Sequence, residues 1–178
     1  MDYAAELGAS CFFTGAGEPG GDNPAAALAD CYEDWRARAA QRGLDFCVYL
    51  GHEGSYIYSE DMLAEALEAV PNLGLKIDPV GLIRNLDADP NDILFRFGAN
   101  LVYFHVKGLT RLRDGEIEPP PGFDALRWDV MFGILLEHEY DGYVSVEPHG
   151  PYWAAVPEGR KAYIRHTLRA LGPLMVPG

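Results

Sequence analysis

Four apolar runs in this sequence each end in, or carry near their end, an acid or a histidine. They are residues 47–50, followed by Gly51-His52-Glu53; residues 73–77, followed by Asp78-Pro79; residues 101–106, which include His105 and precede Lys107; and residues 143–146, followed by Glu147-Pro148-His149-Gly150. Their β-branched and aromatic content is typical of strands, and proline or glycine follows where a strand must end. Polar groups at several strand ends indicate a site on one face of a parallel sheet.

A fifth run, residues 10–14, comes before these four, and helix-like segments lie between the five. We predict helices at about 24–42, 60–70, 90–97, 128–137 and 158–171, a long loop at 108–125 and a connection at 150–157. Asn23-Pro24 supplies a side-chain cap and a first-turn proline for the first of these helices. Strands that alternate with helices in this way predict an α/β fold with a parallel sheet of five βα units.

The bulk composition restricts the class of protein. At 178 residues and 48% hydrophobic content, the chain can form a single domain over residues 1–178. A net charge of -13 repels phosphate backbones and favours divalent cations, so we expect no nucleic-acid partner. No apolar run approaches the roughly 18 residues of a membrane span. The three cysteines are an odd number without metal-ligand spacing, and no secretory signal precedes them. We therefore expect a cytoplasmic protein with reduced thiols and no membrane partner.

The acids and the histidine at the strand ends form a candidate metal site. Three carboxylates and one imidazole suit Mn²⁺, Mg²⁺ or Co²⁺ better than a thiolate site would. The alternative is that polar residues at strand ends only cap turns. The four candidate ligands are Glu53, Asp78, His105 and Glu147.

Two cations follow His105 along the chain. Lys107 and Arg111 would suit an anionic or oxygen-rich ligand, although both could equally be solvated loop charges. His105 itself lies between Phe104 and Val106, where a histidine can also be a hydrogen-bonded core residue.

The glycines after the first strand match the spacing of a dinucleotide-binding loop over residues 15–20. That loop requires the helix to begin within it, so that the helix N-terminus meets the pyrophosphate. Here the predicted helix begins only at Pro24, and Glu18 would place a negative charge in the cradle. The spacing therefore does not indicate dinucleotide binding.

Several phrases carry a family resemblance that covers nearly the whole chain. Residues 4–9, 73–79, 103–107 and 140–147 together resemble the sugar phosphate isomerase/epimerase family, which has the xylose isomerase-like TIM barrel. The resemblance implies a partial (β/α)8 barrel whose five strands correspond to the fourth to eighth. An open sheet of this kind would leave two strand edges exposed, so we expect a homo-oligomer or a partner chain that completes the barrel.

The resemblance also implies a divalent metal, with Mn²⁺ preferred and Mg²⁺, Co²⁺ or Zn²⁺ as alternatives. Asp78, His105 and Glu147 match the family's ligand positions. The first ligand, usually a glutamate that closes its strand, departs from the pattern, because Glu53 lies within Leu50-Gly51-His52-Glu53-Gly54. A second departure is Gly81, where family members often carry a histidine.

The implied function is isomerisation or epimerisation of a sugar or polyol, by proton abstraction next to a carbonyl. Glu147 and Glu53 are the candidate catalytic pair. The alternatives are a non-catalytic barrel fragment or assembly subunit, and a metal-dependent hydrolase resembling endonuclease IV, which five histidines and the acidic charge disfavour. The candidate substrate-binding residues are His52, Lys107, Arg111, His149 and Trp153.

Overall fold

Five parallel strands form the centre of the molecule in a computed structural model that describes residues 1–18, 23–51 and 55–175. The five strands lie in the sheet in their order along the chain, and every neighbouring pair is parallel. The curved sheet and its helices form a half-barrel, which confirms the predicted α/β fold with a parallel sheet of five βα units. The sheet strands are β1 (Cys11–Gly15), β2 (Asp45–Tyr49), β3 (Leu75–Ile77), β4 (Leu101–Val106) and β7 (Tyr143–Val146).

Helices connect the strands. They are α1 (Asp2–Glu6), α2 (Pro24–Ala40), α3 (Glu60–Ala69), α4 (Pro79–Gly81), α5 (Pro90–Phe97), α6 (Trp128–Glu137), α7 (Pro151–Ala155) and α8 (Gly159–Leu171). A π-helical turn, Leu82–Leu86, continues α4, and two 3₁₀ turns, Gly98–Asn100 and Gly172–Leu174, follow α5 and α8. The predicted start of α2 is confirmed, since the Asn23 side chain accepts a hydrogen bond from the Ala26 amide and Pro24 is the first helical residue.

The two faces of the sheet have different chemistry. On β4, Phe104 and Val106 are fully buried, and Phe104 packs edge-on against Trp128 and Phe132 of α6. Because side chains alternate along a strand, Tyr103 and His105 point to the opposite face, which is the interior of the half-barrel. Burial of the apolar face against the helices therefore directs the polar residues of β4 into the barrel interior.

Two connections differ from the prediction. The long loop predicted at 108–125 contains a β-hairpin, β5 (Thr110–Leu112) and β6 (Gly115–Ile117). Asp114-Gly115 is a strong hairpin signal, because glycine tolerates a positive φ, which is 155° here. The connection predicted at 150–157 contains α7, which begins at Pro151 in the first-turn position that suits proline.

β3 begins later than predicted, at Leu75 instead of residue 73. The amide of Gly74 donates to the hydroxyl of Tyr32 on α2, at 2.6 Å, instead of joining the sheet. A bulge then places Lys76 beside Tyr103 of β4, although Leu75 pairs with Leu101. Within the described part of the chain, no helix is long and apolar enough to cross a membrane.

Candidate metal centre

Three of the four predicted metal ligands meet at the carboxyl ends of β3, β4 and β7. Asp78 follows β3 directly, His105 lies near the end of β4, and Glu147 follows β7. One ligand atom from each lies within 4.8 Å of the others, and no other such group occurs in the ranges that the structure describes. The fourth, Glu53, and its neighbour His52 lie outside the described residues.

The bulge between β3 and β4 brings Asp78 and His105 together. It pairs Lys76 with Tyr103 and Ile77 with Phe104. Asp78 and His105 are the next residue on each strand, and their side chains approach to 3.9 Å. A shift of one residue would turn one of the two side chains to the opposite face. On the other side, β7 pairs Ser145 with His105, so Glu147 lies level with Lys107.

The imidazole of His105 has an unused ligand atom. Its Nδ1 is buried without a hydrogen-bond partner, and it lies 3.7 Å from Glu147 Oε2 and 3.9 Å from Asp78 Oδ2. Burial and the positive charge of Lys76 lower the pKa of His105, which favours the neutral imidazole that a metal requires. The donor set therefore fits a divalent cation with oxygen and nitrogen ligands.

Lys107 bridges the two carboxylates. Its ammonium lies 2.9 Å from Glu147 Oε2 and 3.0 Å from Asp78 Oδ2. Burial opposes the charge on Lys107, but the two carboxylates outweigh it and raise the pKa of this lysine. Burial raises the pKa of Glu147, but the hydrogen bond and the charge of Lys107 lower it by more. The pKa of Glu147 is therefore below its usual value, and the carboxylate is ionised at neutral pH. The Tyr163 hydroxyl fixes the residue after Lys107 by accepting a hydrogen bond from the Gly108 amide at 3.0 Å.

A cavity of about 420 Å³ opens above this group. Its wall includes both carboxylates, His105 and Lys107, and further residues that the sequence analysis did not single out. The strand alternation could have identified Lys76, which lies two residues before Asp78 and so on the same face. The additional lining residues are Phe13, Tyr49, Lys76, Arg84 and Asn85.

The predicted substrate-binding residues are distributed over two places. His149 lines the cavity and lies 3.4 Å from Glu118, a carboxylate that Arg84 also holds. Trp153 lies in a separate apolar groove beside Tyr152, and Arg111 donates to the Ile83 carbonyl at 3.0 Å. Lys107 and His149 therefore line the same cavity as Asp78, His105 and Glu147, whereas Arg111 and Trp153 do not. Substrate contact by any of these residues stays a prediction.

An open parallel half-barrel with a cluster of metal-ligand type at its carboxyl strand ends defines a class of TIM-barrel-derived α/β proteins. A model of the xylose isomerase-like TIM barrel family matches residues 1–173, so the chain belongs to that family. No curated protein matches the chain.

Solved structures show the same fold at low sequence identity. A xylose isomerase domain protein from Planctomyces limnophilus is 22% identical, with a TM-score of 0.76 over 97% of this chain and 62% of its own. D-allulose 3-epimerase from a Methylomonas species is 15% identical, with a TM-score of 0.70 over 98% of this chain and 66% of its own. A xylose isomerase-like TIM barrel protein from Mycobacterium smegmatis, in complex with magnesium, is 16% identical, with a TM-score of 0.71 over 98% and 65%. The chain therefore spans slightly less than two thirds of the length of these structures.

Proposed function

We propose that the cavity is the site of a divalent-metal-dependent isomerase or epimerase that acts on a sugar or polyol. The observation that carries this proposal is the convergence of Asp78, His105 and Glu147, with a buried imidazole nitrogen left without a partner. The D-allulose 3-epimerase among the structures of this fold supports the substrate class. The magnesium complex among them supports a divalent ion.

The ion would be held by Asp78, His105 and Glu147, with Glu53 as the proposed fourth ligand. Mn²⁺ is our first choice, because two or three carboxylates and one imidazole suit it, and Mg²⁺, Co²⁺ and Zn²⁺ are alternatives. When bound, such an ion acts as a Lewis acid on the oxygens of a substrate, which makes the hydrogen on the carbon next to a carbonyl more acidic.

The residues of the chain would carry the proton transfer. Glu147 is the proposed base that removes a proton from the carbon next to the carbonyl, and Glu53 is the proposed counterpart that returns one to the opposite face. The lowered pKa of Glu147 keeps it ionised and ready to accept. Lys107 orients the Glu147 carboxylate by its hydrogen bond and can donate to a substrate oxygen as negative charge develops there.

Solvent exchange of substrate hydrogens tests this function before the product is known. In deuterated water with Mn²⁺, the chain should exchange the hydrogen next to the carbonyl of at least one ketose from a panel of pentuloses and hexuloses. Glu147→Gln should lower that rate by at least about a hundredfold, because general-base catalysis typically contributes this much, while circular dichroism shows an intact fold. Deuterium content would be followed by NMR after removal of the metal.

The matched control is Glu137→Gln, which makes the same change at an exposed position at the end of α6. It should leave the exchange rate unaltered. A Glu147→Gln variant that exchanges hydrogens at nearly the normal rate would exclude the role of Glu147 as the base.

We further propose that a second copy or a partner chain completes the barrel. Among the described strands, none pairs with the outer edge of β1 or of β7, although the sheet curves as half of a barrel. Unpaired strand edges expose amide and carbonyl groups that favour association with another chain.

A further inference from the structure

A second lysine, Lys76, lies in the wall of the cavity beside the metal ligands. It is on β3, two residues before Asp78, so that both side chains lie on the interior face of the sheet. Asp78, Glu147 and His105 line the same cavity as this lysine. Beyond favouring the neutral form of His105, this charge has no part in the proposed proton transfer.

Lys76 lacks the close carboxylate partner that the other cavity cations have. Lys107 contacts both Asp78 and Glu147, and Arg84 forms ion pairs with Glu116 and Glu118. Among the residues in ranges 1–18, 23–51 and 55–175, no carboxylate oxygen lies within 4.0 Å of the Lys76 ammonium. A partly buried charge without a counter-ion costs free energy, so its retention needs a compensating contact.

Aromatic rings surround the ammonium instead. It lies 4.8 Å from the ring centre of Phe13 and 5.8 Å from that of Tyr49, within the range of a cation–π contact. The Phe13 ring also packs against Tyr103, at 5.5 Å between centres. The rings of Phe13 and Tyr49 both line the cavity and form an aromatic shelf. This shelf contacts the ammonium and can pack against the C–H face of a sugar carbon chain.

We propose that Lys76 binds an anionic group of the substrate, a carboxylate or a phosphate, so that the substrate is an acidic sugar or polyol instead of a neutral one. The inference rests on the proposed function only in placing the substrate in this cavity. The ammonium supplies the counter-charge, the shelf supports the carbon chain, and the proposed metal ligands line the same cavity. With a divalent ion bound, the two negative charges of Asp78 and Glu147 would be exceeded by the positive charges of the ion, Lys107 and Lys76, and this excess favours an anionic substrate.

Matched pairs of ligands test the inference by binding, without turnover. D-gluconate would be compared with D-glucitol, and D-fructose 6-phosphate with D-fructose, by calorimetry of the chain with saturating Mg²⁺. We expect at least one anion to bind at least about tenfold more tightly than its neutral partner. The pair that shows the preference identifies whether a carboxylate or a phosphate is the group that binds.

Two variants of Lys76 then assign the preference to its charge. Lys76→Met should abolish the preference for the anion and leave the affinity for the neutral partner unchanged, and Lys76→Arg should retain the preference. Lys161→Met removes the same charge from an exposed position on α8, where Lys161 pairs with Glu158, and should have no effect. Unchanged affinity for the neutral ligand also shows that the Lys76→Met cavity is folded.

The two proposals fail in different ways. Three results would overturn the role of Lys76. The wild-type chain could bind each anion no better than its neutral partner, or could bind neither anion measurably. Lys76→Met could also lose affinity for neutral and anionic ligands equally. A separate Mg²⁺ titration tests the metal site: a chain that does not bind Mg²⁺ but shows a Lys76-dependent preference for anions would contradict the metal-dependent function alone.

Discussion

At the scale of single residues, Lys107 occupies the carboxylate oxygens that a metal ion in the proposed site would need. Its ammonium contacts Asp78 Oδ2 and Glu147 Oε2, the same two oxygens that lie nearest to His105 Nδ1. Without a metal, this lysine offsets the repulsion between two neighbouring carboxylates. A metal ion that binds there competes with Lys107 for both oxygens.

Removal of Lys107 should therefore strengthen metal binding. In Lys107→Met, the carboxylates lose their counter-charge in the free protein, and the bound ion no longer faces a positive neighbour. We expect the dissociation constant for Mn²⁺ to fall by at least about tenfold, since like charges a few ångströms apart repel strongly in a partly buried site. Calorimetric titration would measure this dissociation constant. The rate of solvent exchange of substrate hydrogens should fall in the same variant.

Lys161→Met serves as the control for a general loss of positive charge, and its Mn²⁺ affinity should match that of the wild-type chain. Weaker Mn²⁺ binding by Lys107→Met would show the opposite role, in which the lysine preorganises the ligands instead of competing for them.

The convergence of three proposed ligands could be predicted from the sequence, because each follows or ends an apolar strand. In a parallel sheet, carboxyl ends of neighbouring strands meet at one edge, and Asp78, His105 and Glu147 do so. Lys76 carries no such signal, because it lies within β3 and not at its carboxyl end. Arg111 was placed by nearness in sequence to Lys107, but the hairpin that follows β4 directs its guanidinium to the Ile83 carbonyl.

At the scale of elements, the start of β3 depends on one hydroxyl group of α2. Tyr32 is 1% exposed, and its hydroxyl accepts from the Gly74 amide and lies 3.2 Å from the Asn72 carbonyl. The bulge that aligns Asp78 with His105 begins directly after this contact, between Leu75 and Lys76. The helix layer thus helps to fix the strand that precedes Asp78, a proposed metal ligand.

Tyr32→Phe should destabilise the protein by about 1–3 kcal/mol, because it leaves the buried Gly74 amide without a partner and removes the hydrogen bond to the Asn72 carbonyl. For a chain of this size, each kcal/mol corresponds to about 2–4 °C in the midpoint of thermal unfolding. Thermal denaturation followed by circular dichroism would measure the change.

Tyr3→Phe removes a hydroxyl from a side chain that is 82% exposed and should leave the midpoint where it is. If Tyr32→Phe is as stable as the wild-type chain, the start of β3 is held by the sheet and the apolar core alone.

Strands and long helices could be predicted because alternation, caps and breakers act locally. The Asn23 cap and the first-turn Pro24 gave the start of α2 correctly. The bulge in β3 and β4 could not be predicted, because it is set by the pairing of two strands far apart in sequence. The β5–β6 hairpin carried a local signal in Asp114-Gly115, but its strands are short and exposed, with little apolar alternation to reveal them.

At the scale of the whole molecule, the open edge beside β7 exposes apolar surface. A groove of about 530 Å³ runs between α6 and the 3₁₀ turn that follows α8, beside the free edge of β7. Leu136 and Tyr143 line it and are 53% and 62% exposed. Apolar surface next to an unpaired strand is typical of an interface between chains.

We expect the purified chain to sediment as a dimer or larger species at micromolar concentration, because burial of this groove and of the strand edge is favourable. Leu136→Lys should shift the distribution towards monomer, since it places a charge in the groove, while lysine remains compatible with the last turn of α6. Leu112→Lys makes the same change at a 57% exposed leucine on the hairpin, which does not line the groove, and should leave the distribution unaltered. A stable wild-type monomer in sedimentation velocity would contradict association through the open edge. The half-barrel would then be stable without a second chain to cover its interior.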